Sequence, residues 1–71
     1  MKKDEKEAIK KVMDSIKSEI DTIQKFKDVY KQVIKDFGKD VMIFNFTLIA
    51  HDNLINVLNG EIKILEKTLK A

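Results

Sequence analysis

The chain contains no cysteine, no proline and no arginine, and only two of its 71 residues are glycine. Without cysteine there is neither a disulfide nor a thiolate metal site, so covalent stapling is excluded as a source of stability. One domain of this length buries little surface, and a second copy becomes the expected source of further burial. Without proline, nothing removes a helical N–H or forces a break. Without arginine, the bidentate fork that reads guanine edges is missing. All fourteen basic residues are lysines, and twelve carboxylates dilute them to a net charge of +2. So weak an electrostatic footprint argues against nucleic acid as the partner.

Long apolar runs are missing as well. The longest uninterrupted one, Val41 to Phe44, falls far short of a bilayer-spanning segment. The opening MKKDEKEAIKK carries both signs of charge and no apolar core follows it, unlike a secretory signal. A soluble cytoplasmic protein is expected, with no membrane role. The single histidine cannot complete a zinc site with ordinary ligand spacing, and no nucleophile accompanies it. Neither catalysis, nor a metal, nor any cofactor is expected.

What the chain does contain is a seven-residue apolar repeat, running twice. In the first half Ile9, Ile16, Ile23, Tyr30 and Phe37 form one series, with Met13, Ile20, Lys27 and Ile34 as its companion. These are d and a positions of a heptad. The second half places Val41, Leu48, Ile55, Ile62 and Leu69 at a, and Phe44, His51, Leu58 and Leu65 at d. Two long helices are predicted, over residues 5–37 and 41–70, in a single domain spanning 1–71. Between them, Gly38 supplies a left-handed C′ residue and Asp40 an N-cap, a tight turn over 38–40. The Asn59-Gly60 pair could break the second helix, but the heptad phase passes through it unshifted. Strict alternation over Met42, Phe44, Phe46, Leu48 and Ala50 also suits a strand. A lone strand finds no partner in this chain, so helix is the reading taken.

Folding back at Gly38 pairs core positions whose residue numbers add to a constant. Phe37 meets Val41, Ile34 meets Phe44, Tyr30 meets Leu48, and Ile23 meets Ile55. Further out, Ile20 meets Leu58, Ile16 meets Ile62, Met13 meets Leu65, and Ile9 meets Leu69. The same register brings together the two polar seam residues, Lys27 and His51. Such a layer is read as a device that fixes register at some expense in stability. Outside the seam, Lys10 falls opposite Glu66 and Gln24 opposite Asp52. Glu19 against Glu61 is the one mild conflict. On the solvated face of the first helix, Glu7, Asp14, Asp21 and Asp28 each stand three or four residues before a lysine.

The seam leaves other apolar residues without a partner. Val12, Phe26, Val29 and Val33 of the first helix and Ile43, Ala50, Leu54, Val57 and Ile64 of the second project to one side of the hairpin. That face is broader than a monomer normally exposes, and its burial in a homodimer would give a four-helix bundle. A third stripe, Met42, Phe46 and Ile49, lies on the second helix with Asn45 and Asn53 at its edge. Its expected role is to receive another protein.

The architecture is therefore all-α: an antiparallel helical hairpin that dimerises or tetramerises. It resembles that of small dimeric hairpins such as the plasmid copy-number RNA binder Rop, with which it shares no motif. The function expected from the residues is a non-enzymatic interaction or regulatory module acting on a protein partner. Two alternatives stand beside it: a purely self-assembling structural module, and a Rop-like hairpin binding nucleic acid through Lys10, Lys17, Lys25 and Lys31.

Overall fold

The computed structural model describes residues 1–38 and 44–71. It is all-helical. Helix α1 spans Lys3–Phe37 and helix α2 spans Phe44–Lys70, and the two pack against each other along their length. The resulting rod measures 54 × 14 × 11 Å between Cα extremes, close to the length expected of one 35-residue helix. The expected Asp40 cap, and Val41, Met42 and Ile43 of the expected second helix, lie outside the described residues.

Local sequence explains both ends of α1. Asp4 and Glu5 occupy its first turn and Lys35 its last, each complementing the helix dipole. No side chain caps its start, where Lys2 is extended and accepts a 3.1 Å bond from the Lys6 N–H. At the other end the Gly38 N–H donates to the Ile34 carbonyl, closing the final turn. Gly38 has φ +62° as expected but ψ −128°, which lies outside the left-handed helical well and in a region that only glycine occupies readily. Helix α2 runs through Asn59 and Gly60 without interruption and carries Lys67 and Lys70 in its last turn.

The core is the heptad seam. Met13, Ile16 and Ile23 of α1 are buried against Leu58 and Ile62 of α2, with Ile9, Ile20, Ile55, Leu65 and Leu69 packed around them. All ten are a or d residues. Burial is uneven along the rod: it is deepest between Met13 and Ile23, and among the described residues nearer the turn Lys27 alone is buried. Phe37, expected in the seam, is 64% exposed. As the last residue of α1, it stands beyond Phe44, where described α2 begins, so no described residue of α2 lies opposite it. A seam between only two helices encloses little completely, and among the described residues no large side chain is wholly buried.

Candidate functional site

Two features stood out in the sequence: a polar layer in the seam, read as a register device, and an apolar stripe on α2, expected to receive a partner. Lys27 holds its place in the layer and is buried to 9% exposure. Its ammonium does not bond to His51. It forms an ion pair with Asp52, the next residue along, whose side chain remains 54% exposed. The reason is electrostatic. A buried ammonium needs a negative partner, and Asp52 supplies one at the seam's edge without itself leaving water. The expected Gln24–Asp52 contact is accordingly absent, and the Gln24 Nε2 donates instead to Asp28 Oδ1 at 3.4 Å.

His51 is half-buried, and its Nδ1 is enclosed without a hydrogen-bond partner. Tyr30 packs beside it. Its ring lies tilted between two α2 rings, 5.3 Å from Phe44 and 5.7 Å from His51, so that three rings fill the seam on the turn side of Lys27. The cluster packs and orients. Among the described residues, no group of histidine, cysteine, aspartate and glutamate could hold a metal ion.

The second feature lies on the outside of α2. Phe46 is 74% exposed and Ile49 is 58% exposed, about one helical turn apart, and Asn45 and Asn53 are exposed at the edge of the pair. Met42, the third member of the expected stripe, lies outside the described residues. Neighbouring Thr47 and Leu48 face the hairpin and are half-buried. Phe46 and Ile49 thus form an apolar patch that packing among the described residues does not use.

The broad face expected to bury a second copy is also open. Val12, Phe26, Val29, Leu54, Val57 and Ile64 are exposed large hydrophobics, Ala50 is exposed, and Val33 is half-buried. Ile43 lies outside the described residues. Between Val12 and Ile16 of α1 and Ile64 and Leu65 of α2 runs a groove of about 270 Å³, with Glu61 at its rim. Periodicity placed these residues on one side of the hairpin but gave no sign of the concavity. Asp52 as the partner of Lys27 was likewise missed, although its charge and its position flanking the seam would have allowed it.

Comparison with protein-family models, curated proteins and solved structures finds no match for this chain. No described helix is long and apolar enough to cross a membrane.

Proposed function

We propose that the protein is a small non-enzymatic interaction module, a homo-oligomeric helical hairpin that receives a partner protein on the N-terminal half of α2. The observation that carries the reading is Phe46. A phenylalanine three-quarters in water, followed one turn later by an exposed isoleucine, loses favourable burial in the isolated chain. Aromatic anchors of this kind, rimmed by asparagine, are typical of residues that dominate protein interfaces. Partner docking would use Phe46 and Ile49 as anchors, Asn45 and Asn53 as rim, and Met42 as a further apolar contact.

The test is parallel affinity capture from the source cell with the wild-type chain and a Phe46→Lys variant of unchanged helicity. A protein retained by the first and lost by the second supports the reading. Equal recovery by both baits removes partner docking at Phe46. The patch would then serve self-assembly, the structural alternative, and Phe46→Lys would lower the mass of the assembly.

A further inference from the structure

The broad face raises a separate question, resting on the homo-oligomeric part of that reading: how would a second copy lie on it? The surface deficit is large enough to matter. The chain exposes 5605 Å², whereas a compact monomer of 8.3 kDa exposes about 4,600 Å² by the usual mass scaling. The excess of roughly 1,000 Å² is comparable with the ~800 Å² that each partner contributes to a standard interface. One long face of a rod measuring 54 by 14 Å offers an area of about that size.

The two ends of this face differ in shape. Toward the turn it bulges with Phe26, Val29, Leu54 and Val57, all exposed. Toward the free ends it is hollow, with the groove between Val12, Ile16, Ile64 and Leu65 and Glu61 at its rim. Bulge and hollow are also equally spaced from the centre. The middle residue of α1 is Ile20; Phe26 lies six residues to one side of it, and the groove, bounded by Val12 and Ile16, is centred six residues to the other. At the helical rise each is about 9 Å from the midpoint. A two-fold axis across the rod at Ile20 therefore places the bulge of each copy over the hollow of the other. The same operation gives full overlap of α1 with its copy.

We propose that a second copy of this chain covers the face end for end, with Phe26 of each copy seated in the groove beside Val12 and Ile64 of the other. The opposite arrangement, with both turns at one end, sets bulge on bulge and leaves both grooves empty. It also stacks Glu19 and Glu61 of both copies in one layer. End-for-end packing keeps only Glu19 close to its own copy at the axis and moves the two Glu61 residues apart, to about 9 Å along the rod.

Distance measurement between spin labels decides the matter. The chain has no cysteine of its own, and Gln32 is exposed with only a 3.0 Å bond to Asp36, so Gln32→Cys gives a clean attachment point away from the face. End-for-end packing predicts label positions about 36 Å apart along the rod. Turns lying together leave no separation along the rod, and a distance no greater than the width of the bundle, about 30 Å between labels on its outer faces, overturns the arrangement while leaving the homodimer intact. A monomeric mass at millimolar concentration overturns both. Two variants read the same geometry by sedimentation. Phe26→Ala should weaken dimerisation at least thirty-fold. Glu19→Gln, which removes the like charge closest to its own copy at the axis, should tighten it about five-fold. No tightening by Glu19→Gln would overturn the placement of the axis.

Discussion

At the scale of single residues, the most informative arrangement is Lys27, Asp52 and His51. Lys27 is buried and Asp52 is half in water, so the two partners are not equivalent in what their loss would do. Asp52→Ala strands a buried ammonium and should destabilise the fold by about 1–3 kcal/mol. Lys27→Leu leaves only a solvated carboxylate behind and should be neutral or stabilising by about 1 kcal/mol or more. On a chain of this size the latter corresponds to a rise of roughly 4–8 °C in Tm, measurable by circular dichroism. Adding His51→Leu removes an enclosed nitrogen that lacks a partner and should raise Tm further. Periodicity assigns Lys27 and His51 to seam positions, and in the structure Lys27 is buried and His51 half-buried. It did not predict the ion pair, because a long flexible ammonium selects its partner by charge within reach, and the nearest seam residue in register is not always that partner.

At the scale of helices, the two glycines separate cleanly. A Cβ at Gly60 meets nothing within 4 Å, and the residue lies inside a continuous helix. Gly60→Ala should therefore stabilise α2 by about 0.5–1 kcal/mol through reduced freedom of the unfolded chain. Space is equally open around Gly38, yet its positive φ penalises any side chain, and Gly38→Ala should cost more than about 1 kcal/mol. Urea denaturation of the two variants should shift their midpoints in opposite directions. Helix identity was legible here because each run sustains its heptad over many turns. The expected register rests on one turn joining the two runs, so that a single constant sets every facing pair, and the described core draws all ten of its residues from those positions. Phe37 departs from that pattern at the end of α1, where periodicity still marks a d residue but described α2 offers it no opposite number.

At the scale of the whole molecule, the exposed surfaces can be separated experimentally. If the broad face holds a second copy and the Phe46 patch holds a partner, Phe46→Lys should abolish partner capture without changing the dimer's mass. Phe26→Ala should do the reverse at dilute concentration, where the variant is monomeric, and sedimentation beside capture distinguishes them. Which residues lie on which face could be read from the sequence, but concavity could not, because a groove depends on how far two helices separate and not on their periodicity. One further consequence follows from the distribution of burial. The deepest contacts, Met13 and Ile16 with Ile62 and Leu58, join residues more than forty positions apart, whereas the pairs beside the turn are half-exposed. The cost of closing a long loop grows only with the logarithm of its length, so the distant pairs are not prohibitive, but they cannot form by simple zippering from Gly38. Folding should therefore be governed by an encounter between the middle stretches of the two helices, and in the folded chain the turn half should breathe more often than that middle, with faster amide exchange at Val33 and Leu48 than at Ile16 and Ile62.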